Sequence, residues 1–168
     1  MKVILIAAVS ADGKIAQTPG QKSLDWTSKE DLKFFVAKTK EIGVVIMGNT
    51  TFKTIGKGLP GRRLIVMTAR PDGQTPVEGV EFTEKPPKAL LEQLAEEGLS
   101  QVALAGGSRV YSEYLEQGFV TDLFLTIEPV LFGNGTPLAV GFDRINLELV
   151  ETTKLNDQAV LMHYRVRK

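Results

Sequence analysis

The stretch Val102-Ala103-Leu104-Ala105-Gly106-Gly107-Ser108-Arg109-Val110-Tyr111 joins a short apolar run to a glycine pair and then to a helical pattern. Residues 102–105 predict a buried strand, Gly106-Gly107 a tight turn, and residues 108–116 a helix. Two glycines let the backbone approach a ligand closely, and a helix N-terminus offers free N–H groups; together they suit a diphosphate. A turn that merely requires glycine explains the same residues, so the pattern alone leaves both interpretations open.

A second strand-to-helix junction, Met47-Gly48-Asn49-Thr50-Thr51, lies earlier in the chain. Residues 44–47 predict a buried strand and residues 50–55 a short helix. Hydroxyl and amide groups beside a helix N-terminus again suit phosphate, although ordinary helix capping by Asn49 or Thr50 explains them equally well. In a parallel sheet the carboxyl ends of the strands form one edge, where ligands bind. We therefore expect the two junctions to lie together.

Outward from these junctions, strands alternate with helices and the chain ends in a hairpin. This order predicts one α/β domain over residues 1–168, with a mainly parallel eight-stranded sheet, an antiparallel C-terminal hairpin and about four flanking helices. Residues 10–25 form a long loop, of the kind that often covers a binding site. The remaining strands are predicted at 3–9, 64–68, 80–82, 122–128, 146–154 and 159–166, and the remaining helices after Thr27 or Ser28 and over 86–97.

Composition excludes several classes of function. The 168 residues carry 20 basic and 20 acidic side chains without a basic stripe, so we expect no nucleic-acid partner. The absence of cysteine removes disulfides and thiolate chemistry, and a single histidine, His163, makes a catalytic triad or a histidine metal site improbable. The apolar N-terminus is too short to span a bilayer. We expect a cytoplasmic protein that does not associate with membranes.

Asp31 is the acidic residue that stands out. It lies four residues before Phe35 and next to Leu32, so it shares a helix face with an aromatic side chain. A carboxylate on an apolar face is costly unless it serves a polar partner, which would suit a binding role. Stabilisation of the helix dipole by an acidic first-turn residue is common, and the spacing alone favours that interpretation. Of the other candidates, Trp26 and His163 are interpreted as structural, and Arg62-Arg63 as either solvated or an anion clamp.

Taken in order, these segments resemble the dihydrofolate reductase family over most of the chain. Each motif is weak alone, but the ordered series at family-like spacing is specific. The residues that carry the resemblance are Leu5-Ile6-Ala7-Ala8, Asp12, Ile15, Trp26, Asp31-Leu32, Phe35, Ile46-Met47-Gly48, Thr51, Ile55-Gly56, Leu59-Pro60-Gly61-Arg62, Gly106-Gly107, Arg109-Val110-Tyr111 and Leu125-Thr126.

The resemblance implies NADPH-dependent reduction of 7,8-dihydrofolate to tetrahydrofolate, with hydride transfer to pterin C6 and protonation of N5. Asp31 would bind the 2-amino and N3 side of the pterin, Thr126 would support Asp31, and Trp26 would order the water that supplies the proton. Arg62 would bind the glutamate α-carboxylate of the substrate. The other substrate-binding residues implied are Ile6, Ala7, Leu32, Phe35, Ile55, Leu59 and Tyr111.

The same resemblance assigns the two junctions to NADPH, with Ala8 and Ile15 beside the nicotinamide. Asn49 replaces an arginine that in the family binds the 2′-phosphate, and Arg70 could supply the missing charge. The remaining cofactor residues implied are Gly48, Thr50, Thr51, Met67, Thr68, Ala105, Gly106, Gly107, Ser108, Arg109 and Val110. We expect a monomer, with a homodimer as the alternative.

Two segments resemble a different enzyme of the same fold, the reductase domain of bacterial riboflavin biosynthesis. These are residues 10–16 and residues 129–138. That enzyme uses NADPH to reduce a phosphoribosylaminopyrimidine. A nucleotide-binding regulator and a structural protein remain as alternatives without catalysis. Asp31, Arg62 and Thr126 together favour the pterin substrate.

Overall fold

A computed structural model of the protein describes residues 1–167. The helices are α1 (Lys29–Ile42), α2 (Asn49–Ile55), α3 (Pro87–Glu96) and α4 (Ser108–Glu116). The strands are β1 (Lys2–Ser10), β2 (Lys14–Ala16), β3 (Val44–Gly48), β4 (Arg63–Met67), β5 (Val80–Thr83), β6 (Gln101–Leu104), β7 (Asp122–Glu128), β8 (Thr136–Pro137), β9 (Leu147–Lys154) and β10 (Val160–Val166).

Eight strands form the main sheet in the order β5-β4-β3-β6-β1-β7-β10-β9. The first six run parallel, whereas β10 is antiparallel to both β7 and β9. The predicted fold class is therefore confirmed, including the C-terminal hairpin and the four helices. No helix within residues 1–167 is long and apolar enough to cross a membrane.

Helices cover both faces of the sheet because its central strands are apolar on both sides. Ile4 and Ile6 of β1 pack with Phe52 of α2 on one face, where α1 also lies. Leu5 packs on the other face with α3 and α4, around the fully buried Tyr114. Alternate residues of β1 thus contribute to two cores, as expected for a strand buried on both faces.

Local signals explain where α1 begins and ends. The Ser28 hydroxyl accepts a hydrogen bond from the Asp31 N–H at 3.3 Å, which confirms one of the two predicted N-caps. Gly43 ends the helix with φ of +86°, a conformation that glycine adopts without steric strain. The predicted capping of α2 by Asn49 or Thr50 is wrong, because Gly48 is the N-cap and no side chain caps this helix.

The loop predicted over residues 10–25 contains more structure than expected. Its β2 pairs with β8 in a two-stranded ribbon, and 23–25 form a 3-10 turn. Asp12 joins this loop to the loop between β7 and β8. Its carboxylate accepts hydrogen bonds from Ser10 Oγ at 2.6 Å, Phe132 N at 3.1 Å and Gly133 N at 2.8 Å. These bonds, chiefly that from Ser10, lower the pKa of Asp12 to about 2.

Candidate active site

The site lies where the central strands separate. Pairing of β6 with its neighbours ends at Leu104, which faces Leu5 of β1 and Ile46 of β3, while β1 continues along β7 as far as Ser10. The strand order changes direction at this point, and ligands bind there in open α/β sheets. A cavity of about 850 Å³ opens at this edge. Its wall includes Ile15 and Leu24, so the loop over residues 10–25 does lie against the cavity.

Both strand-to-helix junctions meet at this cavity, as the sequence predicted. Gly48 N donates a hydrogen bond to Gly106 O at 2.8 Å, and the Gly106–Gly107 peptide is cis. A methyl group added at Gly107 would lie 3.0 Å from Thr51 Oγ1, and one added at Gly48 would lie 3.2 Å from Val110. The glycines thus let the two junctions pack closely against each other, beside the uncapped N-terminus of α4.

Asp31 occupies the inner part of the cavity. The buried Thr126 lies behind it on β7, and its hydroxyl acts on the Asp31 carboxylate as a hydrogen-bonding group. Burial raises the pKa of Asp31, and the nearby Glu128 carboxylate raises it further, whereas the bond from Thr126 opposes the shift. The apolar wall around Asp31 comes from six of the predicted residues, Ile6, Ala7, Leu32, Phe35, Ile55 and Leu59.

Arg62 and Arg63 have separate environments. Arg62 lines the cavity, where Nη1 donates to Thr39 Oγ1 at 2.8 Å and Nε donates to Pro60 O at 3.2 Å. It forms no ion pair within residues 1–167, and partial burial lowers its pKa. Arg63 instead pairs with Glu81 and Glu97 on the outside. Of the two arginines, only Arg62 lines the cavity, and it has no acidic partner among residues 1–167.

The far end of the cavity contains residues that the sequence reasoning missed. Thr83 and Lys85 line it beside the predicted Thr68, and Lys85 Nζ donates to Gln93 Oε1 at 2.6 Å. A usable signal existed, because Lys85 follows a predicted strand at the carboxyl edge of the sheet. Asn49 Oδ1 is buried in the same cavity and has no hydrogen-bond partner within residues 1–167. A polar ligand here would satisfy that oxygen.

Three predicted residues do not line the cavity: Thr126, Trp26 and Arg70. Thr126 acts from behind Asp31. Trp26 packs edge to face on Phe132 with ring centroids 5.0 Å apart, and its Nε1 has no hydrogen-bond partner among the described residues. Arg70 is exposed beside the 3-10 turn at Pro71–Gly73. All the other predicted site residues line the cavity, and His163 lies elsewhere, stacked on Phe124 and bonded to Asp122.

Tyr111, in the first turn of α4 after the glycine turn, forms a hydrogen bond with β1. Its hydroxyl, which is buried, donates to Ile6 O at 2.6 Å, and burial raises the pKa of Tyr111, so the group remains a neutral donor. We expect Tyr111→Phe to lower the free energy of unfolding by about 1–3 kcal/mol, because it leaves the Ile6 carbonyl unpaired. Urea denaturation measures this. Tyr164→Phe is the control, since Tyr164 is only half-buried. Equal stability of Tyr111→Phe and wild type would show that the hydrogen bond from Tyr111 to Ile6 O does not stabilise the fold.

Comparison with known proteins identifies the family. A family model described as dihydrofolate reductase matches residues 2–158. The chain belongs to the dihydrofolate reductase family. It is 36% identical to dihydrofolate reductase type 3 of Salmonella typhimurium over 128 residues, covering 75% of this chain and 71% of that one. It is also 28% identical over 171 residues to the uncharacterized protein YwjB of Bacillus subtilis, covering 97% of each chain.

Solved structures of two kinds share this fold. Dihydrofolate reductase from Enterococcus faecalis, complexed with NADP(H), superposes with a TM-score of 0.79 at 25% identity, over 99% of this chain and 97% of that one. A putative riboflavin biosynthesis protein from Shewanella gives a TM-score of 0.83 at 19% identity over the whole of both chains. The second likeness concerns the fold alone. As a family member, the protein is a reductase of the dihydrofolate reductase type.

Proposed function

We propose that this protein reduces 7,8-dihydrofolate to tetrahydrofolate with NADPH. One observation carries the proposal: a single apolar cavity contains both a half-buried carboxylate, Asp31, and an unpaired guanidinium, Arg62. Folate is a molecule with matching ends: a pterin ring, whose 2-amino group and N3 are adjacent N–H donors, and a glutamate tail with carboxylates. The apolar wall between the two charged groups suits the flat rings that join those ends.

Asp31 is suited to the pterin end. Its two carboxylate oxygens can accept hydrogen bonds from the 2-amino group and N3, a paired arrangement that fixes the ring in the cavity. Reduction also requires a proton at N5. Because burial raises the pKa of Asp31, the Asp31–pterin pair holds one proton at a higher pH than an exposed aspartate would. The midpoint of that titration belongs to the pair rather than to either group.

Arg62 is suited to the glutamate end. Thr39 and Pro60 hold two of its nitrogens, and Thr39 is itself fixed by a 2.6 Å bond from its hydroxyl to Phe35 O. An arginine held in this way loses little side-chain freedom when it binds a carboxylate. Because Asp31 and Arg62 line the same cavity, one ligand with N–H donors at one end and a carboxylate at the other would satisfy both, and a folate has these two ends.

The residues at the carboxyl edge of the sheet fit a nicotinamide dinucleotide. The glycine turn, Thr51 and the N-terminus of α4 would bind the diphosphate, and Ala8 and Ile15 would border the nicotinamide. Lys85 and Thr68 at the far end would bind the 2′-phosphate in place of the arginine that Asn49 replaces. When bound, the cofactor supplies the hydride that reduces pterin C6. The loop over residues 10–25 would exclude water from the reacting atoms.

A second candidate is reduction of a phosphoribosylaminopyrimidine, as in riboflavin biosynthesis. The observation that favours it is the contact between residues 10–16 and 129–138, the two segments that resemble that enzyme, through Asp12. None of these hydrogen bonds involves Asp31 or Arg62, so the contact explains neither residue. The folate reaction accounts for both.

Parallel steady-state assays distinguish the two candidates. Purified protein and NADPH are mixed with dihydrofolate or with the phosphoribosylaminopyrimidine, and the loss of absorbance of the reduced nicotinamide is followed. We expect kcat/KM for dihydrofolate in the ordinary enzymatic range of about 10⁴–10⁸ M⁻¹s⁻¹ and negligible turnover of the pyrimidine. The reverse ranking would assign the protein to the second candidate.

The glycine turn provides a test of cofactor binding alone. Gly106 has φ of +104°, and a methyl group there would lie 3.3 Å from Thr51 Oγ1. Strain of about 1–3 kcal/mol at this position should weaken the binding of NADPH to Gly106→Ala by about 5- to 150-fold. Fluorescence titration of NADPH measures the change. Gly98→Ala is the matched control, because Gly98 also has positive φ but lies at the end of α3 with open space around it. Equal affinities for the two variants would refute the assignment.

A further inference from the structure

Glu128 is a buried acid for which the proposed reaction has no role so far. Glu128 lies at the end of β7 and is only 3% exposed. Its Oε1 accepts two hydrogen bonds, from Ser28 N and from Ser28 Oγ, both at 2.7 Å. Glu128 follows Thr126 by two residues, so both side chains project from the same face of the strand. Asp31 is therefore flanked by two side chains of one strand.

A chain of hydrogen bonds connects Glu128 to Asp31. Ser28 Oγ donates to Glu128 and accepts from the Asp31 N–H at 3.3 Å, while the hydroxyl of the buried Thr126 acts on the Asp31 carboxylate and lowers its pKa. Strand β7 thus holds the first turn of α1 through its backbone and holds the Asp31 side chain directly. Ser28 alone would suffice as an N-cap. The buried Glu128 carboxylate next to this cap adds negative charge close to Asp31, although the cap at the start of α1 does not require it.

We propose that Glu128 is a second acidic positioning residue of the active site, which orients the first turn of α1 through Ser28 and whose charge holds a proton on the Asp31–substrate pair. The reference to substrate rests on the proposed function. The effect of the Glu128 charge on Asp31 does not rest on the proposed function, because it follows from the arrangement of the two side chains in the ligand-free protein. Like charges in a partly dehydrated site disfavour simultaneous ionisation, as in other paired carboxylates.

The surroundings of the two acids contain little that would cancel this charge. Neither forms an ion pair with Lys, Arg or His within residues 1–167. Tyr111 faces Asp31 from α4 as a neutral group. On the β1 side, Ser10 is the register partner of Glu128, and Ser10 donates to Asp12.

Within α1, the charged groups next to Asp31 have interactions of their own. Glu30 accepts a 3.1 Å bond from Asn156 Nδ2, and Lys29 and Lys33 act on the Glu30 carboxylate. What compensates Glu128 is therefore the pair of donors from Ser28 together with the positive end of the α1 dipole.

The test is Glu128→Gln, which keeps an oxygen acceptor for Ser28 but removes the charge. The control is Glu30→Gln, which removes the charge of an acid next to Asp31 on α1 that bonds Asn156 instead. The Asp31 side chain is titrated in the ligand-free protein by ¹³C NMR of labelled aspartate, its resonance being assigned by its loss in Asp31→Asn. We expect the titration midpoint to move to lower pH in Glu128→Gln and to stay in place in Glu30→Gln. An unchanged midpoint in Glu128→Gln would overturn the proposal.

The pH profile of kcat/KM gives the second measurement. We expect its alkaline limb to move to lower pH with the NMR midpoint, so that each pH unit of displacement lowers the rate there about tenfold. If Glu128→Gln does not fold, Glu128→Asp, which retains the charge, should keep the Asp31 midpoint high; a midpoint lowered in that variant would also contradict the proposal. If wild type does not reduce dihydrofolate, the proposed function fails while the NMR titration still decides the role of Glu128.

Discussion

We expect Asp31→Asn to lower kcat/KM for dihydrofolate by about 10²- to 10⁴-fold at neutral pH, the range that loss of a group controlling proton transfer produces. Asparagine has nearly the same shape and retains one oxygen for the Thr126 hydroxyl. The asparagine side chain carries no charge to pair with the pterin, and it cannot share a proton with the pterin. Stopped-flow measurement of hydride transfer isolates the chemical step. NADPH affinity should be unchanged, because the diphosphate residues lie at the glycine turn; turnover equal to wild type would remove Asp31 from the mechanism.

The same substitution should stabilise the ligand-free protein. Because burial raises the folded-state pKa of Asp31 above the ordinary value of 3.8, the ionised carboxyl destabilises the folded state. This penalty is complete above the folded-state pKa and disappears as the pH falls below the unfolded-state value. Asp31→Asn should thus raise Tm at neutral pH, by about 2–4 °C for each kcal/mol removed, and the gain should vanish in acid. The control is Asp25→Asn at an exposed position, where no gain is expected.

We expect Arg62→Leu to raise KM for dihydrofolate about 10- to 150-fold, with little change in kcat. The estimate corresponds to loss of a charge-assisted contact of about 1.5–3 kcal/mol, at a distance from the reacting atoms. A dihydropterin without the glutamate tail should bind wild type and variant equally. Comparing the two substrates and the two proteins forms a double-mutant cycle, which isolates the contact between Arg62 and the carboxylate.

Arg63→Leu is the control for Arg62. It breaks the ion pairs with Glu81 and Glu97, so it tests the stability of the region without touching the cavity. We expect its KM for dihydrofolate to equal that of wild type. An equal rise in KM for Arg62→Leu and Arg63→Leu, or a rise for the tail-less pterin, would show that Arg62 does not bind the glutamate.

The fold was predictable because its main elements carry strong periodic signals. Continuous apolar runs such as residues 3–9 are specific for strands buried on both faces, and Ser28 and Gly43 mark the ends of α1 by their own conformational preferences. Strands β2 and β8 were not predictable, since three and two residues are too few for a period to be recognised. Their pairing depends on Asp12 and on contacts between loops that are more than 100 residues apart.

The site was predictable where it depends on strand ends and helix faces. The meeting of Gly48 with Gly106 follows from the rule that parallel strands end at one edge, and the position of Asp31 follows from its spacing to Phe35. Lys85 was missed because its strand is short, and Glu128 because an acid near the end of a strand looks like a solvated residue. Only the packing of α1 against β7 makes Glu128 buried.

The most direct test of the central claim follows the hydride itself. NADPH deuterated at nicotinamide C4 is incubated with the protein and dihydrofolate, and with the phosphoribosylaminopyrimidine in a parallel reaction. We predict deuterium at C6 of tetrahydrofolate, formed at least about 10²-fold more slowly by Asp31→Asn, and no labelled pyrimidine product. Deuterium at a ribose carbon of the pyrimidine product, with none at C6 of the folate, would contradict the account.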